Sequence, residues 1–139
     1  PASRATGNVI GYDGAIATVK ITETSDVNGG TYIFIGSYGF YIRGGTARVA
    51  YRNGDKFEQV IGYVHAGNIN QSSLIAGATL WLNAKIKNET TIALTLWLNG
   101  TAVGSYDFTR RSDEVSGENA RFEIEIAQGV SAAVLSSAN

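Results

Sequence analysis

The pentapeptide Thr-Leu-Trp-Leu-Asn occurs twice, at 79–83 and 95–99, and sets the two tryptophans, Trp81 and Trp97, at matching positions. An indole face packs on the apolar C–H face of a pyranose ring, so two tryptophans on one surface make a sugar-binding platform. Two half-buried sheet residues would show the same spacing. A second group is basic and aromatic: Tyr41, Arg43, Arg48, Tyr51 and Arg52. Guanidinium forks suit a small anionic ligand or a sugar, and the same residues suit the cover of a sheet face or a subunit contact.

The remaining chemistry is sparse. His65 is the single histidine and cysteine is absent. A hydrolytic triad needs a nucleophile beside its imidazole, and neither a serine elbow nor a cysteine accompanies His65, which reads as a strand-end histidine bonded to a loop. An ordinary zinc site needs more imidazoles or thiolates. Glu123 and Glu125 share a face with Arg121 opposite an apolar face, the pattern of a solvated surface. Two carboxylates from distant strands, roughly 5–9 Å apart as in glycosidases, stay open at this level. Calcium-loop, P-loop and dinucleotide patterns are missing. No metal and no cofactor are expected. Asn70, Asn88 and Asn99 each begin an Asn-x-Ser/Thr sequon, and Asn99-Gly100 also explains itself as a turn.

These residues need a frame. The chain has 139 residues, 44% of them hydrophobic and 17% charged, which is too apolar for a disordered tail and long enough for one domain with a real core. Eleven Lys and Arg stand against 12 Asp and Glu, a near-neutral balance that argues against nucleic-acid binding. No apolar run approaches the ~20 residues of a helical membrane span. The sequence opens at Pro1 and contains no methionine, which reads as a trimmed product or a piece of something longer. Residues 1–7 read as a lead-in and 8–139 as a single domain.

Nearly every segment alternates as a strand does and is punctuated by glycine and asparagine turns. Strands are expected over 8–12, 15–22, 46–52, 56–65, 74–86, 91–98, 101–109 and 120–127, with a last one in the 129–139 tail. Asp13-Gly14, Asn53-Gly54 and Asn99-Gly100 are hairpin signals, because these residues tolerate positive φ. About nine or ten antiparallel strands without a convincing helix imply a β-sandwich, jelly roll or barrel. In the segment 29–45, Tyr32, Phe34, Tyr38, Phe40 and Ile42 all fall on even positions. Read as one strand, their face packs into the core, while Ile33, Ile35 and Tyr41 on the odd face meet a neighbouring chain.

Residues 30–65 resemble the middle of a tumour-necrosis-factor-like or complement-type globular head. There an aromatic G-x-Y-x-F strand runs into a glycine turn and a short strand ending in Asn-Gly. The matching residues are Gly30, Tyr32, Phe34, Gly44, Gly45, Asn53 and Gly54. The chain's close, "VSAAVLSSAN", departs from the aromatic last strand of that family. The resemblance implies a ten-stranded jelly roll forming compact homotrimers, similar to the knobs of bacteriophage tail needles and fibres.

The expectation that follows is an all-β, trimeric, non-enzymatic head of a viral or phage tail fibre or needle, on a virion or at an extracellular surface. It would contact a host cell-surface glycan or small anionic ligand through Arg43, Arg48, Tyr51, Trp81 and Trp97, with Ile33, Ile35 and Tyr41 at the subunit interface. Two alternatives stand beside it. One is a monomeric or dimeric lectin-like carbohydrate-binding module using the tryptophans, and the other a pilus or filament subunit assembled by strand addition.

Overall fold

The computed structural model describes residues 3–53, 56–59 and 64–139. Twelve strands form it: β1 (Ser3–Asn8), β2 (Ala15–Asn28), β3 (Thr31–Ile35), β4 (Tyr38–Arg43), β5 (Thr46–Asn53), β6 (Lys56–Gln59), β7 (His65–Asn68), β8 (Thr79–Asn88), β9 (Thr91–Leu98), β10 (Thr101–Thr109), β11 (Arg121–Ile126) and β12 (Gln128–Ala138). Two single 3-10 turns, Gln71–Ser73 and Gly117–Asn119, are the only helical pieces among the described residues. Among the described residues no helix is long and apolar enough to cross a membrane.

The strands pair in the order β1-β11-β3-β4-β5-β7-β10-β9-β8-β2-β12, with β6 against the far end of β5. All pairings are antiparallel. This long sheet folds over on itself into a β-sandwich of jelly-roll type. Ile33, Phe40, Val49 and Phe122 from one flank meet Val19, Leu82, Leu94 and Phe108 from the other in one core. Alternation dictates the choice: Ala15, Ala17, Val19 and Ile21 point in from β2, and Leu80, Leu82 and Ala84 point in from β8. At the end of β12, Asn139 Nδ2 donates to the carbonyl oxygens of Gly11 (3.0 Å) and Asp13 (3.2 Å), and its Oδ1 accepts from Ile10 N. The last strand is thus tied to the connection between β1 and β2.

Three expectations change. At the N-terminal end, residues 3–8 form β1, paired with β11 from Ser3↔Ile126 to Asn8↔Arg121, and the strand expected over 8–12 gives way to bends and a turn between Asn8 and Ala15. The expected strand over 56–65 is β6 at 56–59 and the start of β7 at His65; residues 60–63, like Gly54 of the Asn53-Gly54 turn, lie outside the described residues.

The third change concerns residues 29–45, which form a hairpin and not one strand. Gly36 (φ 55°) and Ser37 turn the chain between β3 and β4, and Ile35 then pairs with Tyr38, Ile33 with Phe40, and Thr31 with Ile42. Each odd residue of β3 therefore faces an even residue of β4. Ile33 and Ile35 are enclosed by this chain's own core, with no exposed surface left for a subunit contact. Tyr32, Phe34 and Tyr41 sit on the outer face instead.

The charged loop after β10 is pinned by hydrogen bonds beneath it. Tyr38 Oη donates to Glu114 Oε1 (2.6 Å) and accepts from Arg111 N (2.8 Å). Arg110 holds Glu114 in a fork at 3.2 and 2.7 Å, and Tyr12 Oη donates to the Val115 carbonyl (2.8 Å). Burial first, and then the bond to the Glu114 carboxylate, raises the Tyr38 phenol well above the ordinary tyrosine range. Tyr12 is also raised, chiefly by burial.

Candidate functional site

The duplicated pentapeptide folds into adjacent strands. β8 and β9 are a hairpin in which Leu80 pairs with Leu98, Trp81 with Trp97, and Leu82 with Leu96. Alternation sends the leucines inward and both tryptophans out, so the two indoles are cross-strand partners on one outer face, with ring centroids 6.0 Å apart and planes tilted by 35°. The two asparagines of the repeat take different tasks. Asn99 (φ 49°) and Gly100 (φ 85°) make the turn into β10, and Asn99 Oδ1 accepts from Thr79 N at 2.8 Å. Asn83 lies beside the indoles, where its Oδ1 accepts the Trp97 Nε1–H at 2.7 Å.

That bond fixes the orientation of the asparagine. An indole N–H only donates, so the amide oxygen must face it and the amide N–H2 is left as a donor to the surroundings. Around the indoles runs a groove of about 490 Å³ lined by Asp13, Gly14, Ile16, Trp81, Asn83, Lys85 and Trp97, among others. This lies inside the ~300–1,000 Å³ range of small-ligand sites. The Asp13-Gly14 turn closes one end: Gly14 N donates to the Ala84 carbonyl at 3.0 Å, and Asp13 Oδ1 accepts from Ile86 N at 3.1 Å. Ile16, 44% exposed, adds an apolar wall. An apolar aromatic floor with a carboxylate, an ammonium and an amide donor at its rim is chemistry for a polyhydroxylated ligand with an apolar face.

The basic and aromatic group does not assemble as the sequence suggested. Tyr51 points the other way from Arg48 and Arg52, into the interior beside Tyr38 (6.0 Å) and Phe108 (5.7 Å), with the Arg111 guanidinium 4.7 Å from its ring. Burial raises its phenol. Arg43, at the exposed end of β4, and Arg48, opposite Tyr41, lie on the outer face of β3–β5.

On that face the aromatic rings lie flat. A Cβ built on Gly39 would fall 2.0 Å from the Ile33 carbonyl oxygen and 2.6 Å from Phe34 Cδ1, and one on Gly30 would fall 2.5 Å from the Ile42 carbonyl oxygen and 2.7 Å from the Tyr41 ring, so backbone and ring together occupy the space a side chain would take. Tyr32 stacks on Tyr41 at 4.2 Å. Two further arginines are met by carboxylates: Arg52 Nη2 is 3.4 Å from Glu123 Oε1, and Arg4 reaches Glu123 (3.6 Å) and Glu125 (2.6 Å).

Glu123 is another residue that sequence reasoning placed wrongly. It is 5% exposed, not solvated, because β1 and β3 flank it and Arg4 and Arg52 lie against it. Alternation along β11 shows only that it faces outward; the cover comes from other strands. His65 is exposed at the head of β7, and its Nε2 lies 3.1 Å from the Asn68 Oδ1.

No protein-family model matches the sequence, and a search of curated proteins finds no relative. Among solved structures the chain is similar to scytalido-glutamic peptidase bound to a transition-state analogue inhibitor, at 17% identity and TM-score 0.47, covering 95% of this chain and 73% of that one. A second structure of that peptidase, with a peptide-based transition-state analogue, matches at 18% identity and TM-score 0.47, covering 98% and 71%. Sheep galectin-11 in complex with glycerol matches at 8% identity and TM-score 0.45, covering 95% and 97%.

Proposed function

We propose that this chain is a non-catalytic glycan-binding β-sandwich domain that presents Trp81 and Trp97 to a sugar of a cell surface. One observation carries the reading: the two indoles are cross-strand neighbours on an outer face, one of them locked by Asn83, over a groove rimmed by Asp13 and Lys85. A pyranose stacks its C–H face on an indole, and its hydroxyls take the Asn83 N–H2, the Asp13 carboxylate and the Lys85 ammonium.

The setting we propose is the one the sequence suggests, a head carried on a viral or phage fibre that meets its host at the cell surface. The threefold assembly once assigned to Ile33 and Ile35 gains no support from them, since the chain's own core encloses both. A lectin-like module of one or two chains serves the same chemistry. The alternative ligand face, around Arg43 and Arg48, is disfavoured because Glu123 and Glu125 already engage Arg52 and Arg4 beside it.

The test is a glycan array probed in parallel with the wild-type chain and Trp81→Ala. Retention of a defined set of glycans by the wild type, lost in the variant, is the expected result. Equal retention by both, or none by either, removes the proposal.

A further inference from the structure

The connection between β1 and β2, residues 9–14, brings Asp13 to the rim of the tryptophan groove with no strand pairing of its own. One side chain takes up its backbone groups instead. Asn139 Nδ2 donates to the Gly11 carbonyl at 3.0 Å and to the Asp13 carbonyl at 3.2 Å, while Asn139 Oδ1 accepts from Ile10 N. A primary amide carries two N–H donors and an acceptor oxygen on one plane, and here it meets two acceptors and one donor. A carboxylate in its place has no donor to offer, and an alkyl group has neither.

Asn139 follows β12, and the end of that strand is itself placed from two sides. Ser137 pairs with Ala17 and Ala138 with Ile16 of β2. A Cβ built on Gly7 of β1 would fall 2.7 Å from Ser137 Oγ, so β1 lies close against it. Ile16 lines the groove as Asp13 does. The end of β12 therefore backs two members of one rim, Ile16 through strand register and Asp13 through the Asn139 amide. The Asp13-Gly14 turn is also held on its other flank, where Asp13 Oδ1 accepts from Ile86 N at 3.1 Å and Gly14 N donates to the Ala84 carbonyl at 3.0 Å. The second Asp13 carboxylate oxygen takes no hydrogen bond among the described residues, and the side chain is exposed.

We infer that Asn139 is a positioning residue of the tryptophan groove: its amide holds the Asp13-Gly14 turn so that the Asp13 carboxylate stands at the rim to accept from a ligand hydroxyl. The ligand in this statement rests on the glycan reading; the hold on the turn does not. A hydrogen bond to a carboxylate is short and directional, so a turn free to swing on one flank loses it. A rim set in place before binding leaves less ordering to be done on binding. Asn139 itself does not line the groove, and its effect passes through Asp13.

The experiment uses the whole chain and has two arms. The first needs no ligand: amide hydrogen exchange by NMR compares wild type with Asn139→Ala at Gly14 and Ile86, whose N–H groups report the turn, and at Leu94 and Leu96 of β9 as reference. Roughly tenfold faster exchange at Gly14 and Ile86, with β9 unchanged, is expected. The second arm reprobes the glycan array with Asn139→Ala, Asp13→Asn and the double variant. Asn139→Ala should need roughly tenfold more protein for half-maximal retention of the same glycans, and should add no loss in the Asp13→Asn background. A residue that only stabilised the fold would weaken retention equally in both backgrounds. Unchanged exchange at Gly14 and Ile86, equal acceleration in β9, or additive losses on the array would each overturn the inference. If the wild type retains no glycan, the glycan reading falls, and the exchange arm alone upholds or overturns the hold of Asn139 on the turn.

Discussion

The two outer faces of the sandwich carry similar residues to opposite ends. On the β3–β5 face, Phe34 and Tyr41 lie over Gly39 and Gly30, Tyr32 stacks on Tyr41, and Arg4 and Arg52 reach Glu123 and Glu125. On the β8–β9 face the indoles stand over a groove of about 490 Å³, and the Asn83 amide keeps its N–H2 turned outward. Aromatic and charged residues are plentiful on both. The difference is whether their surfaces and charges are already spent on neighbours within the chain. A face whose rings fill the space above glycines is finished structure, whereas one whose rings border open space has binding surface to offer.

The largest expected effect falls where the sequence had placed a subunit contact. Ile35→Lys sets an ammonium inside the core, where an unpaired charge costs several kcal/mol, comparable with the whole ~5–15 kcal/mol stability of a domain. Loss of the cooperative thermal transition is expected, not dissociation into folded chains. A folded, monomeric Ile35→Lys protein would restore the odd face of residues 33–41 as an interface.

Next is Trp81→Ala, which removes half of the indole pair. Glycan binding should weaken at least ~10-fold, or about 1.4 kcal/mol, while chemical denaturation shows a loss of about 1 kcal/mol, the value of an aromatic pair. Glu123→Gln does the reverse. With Arg52 left facing a neutral amide in a place largely shielded from water, stability should fall by about 2 kcal/mol, and titration with a retained glycan should give an unchanged Kd. A weakened Kd there would erase the contrast between the faces.

The smallest effect is a pH slope. The folded chain raises Tyr38 above its ordinary value of about 10 by burial and by its bond to Glu114. Stability from this group is complete below pH ~10 and is lost as pH rises above it, because the unfolded phenol ionises first. Denaturation midpoints measured from about pH 8 to 11 should decline above pH ~10, with a shallower decline in Tyr38→Phe. The Tyr12 and Tyr51 phenols, raised by burial as well, keep the remaining slope.

The sequence displayed some of this and concealed the rest for physical reasons. The all-β class and the hairpin at Asn99-Gly100 were legible because period-two alternation and a turn dipeptide are local signals. The tryptophan pair was legible for the same reason: two copies of one pentapeptide, flanking a short turn, fall into register across it. The hairpin inside residues 29–45 was hidden, since Gly36-Ser37 is a weaker signal than Asn-Gly and the even spacing of the aromatics continues across it. Missing that turn inverted the assignment of Ile33 and Ile35. Glu123 was illegible because its burial comes from residues distant in sequence, such as Arg4 and Arg52.

The most direct measurement follows the two indole N–H signals, together with the backbone amides of β3–β5, by NMR as a glycan retained on the array is added. The account predicts saturable shifts of Trp81, Trp97 and the Asn83 side-chain amide, with Tyr41, Arg48 and Glu123 unmoved. Shifts centred on Tyr41 and Arg48 while the indoles stay still would contradict it, and would make the face described here as finished structure the binding site.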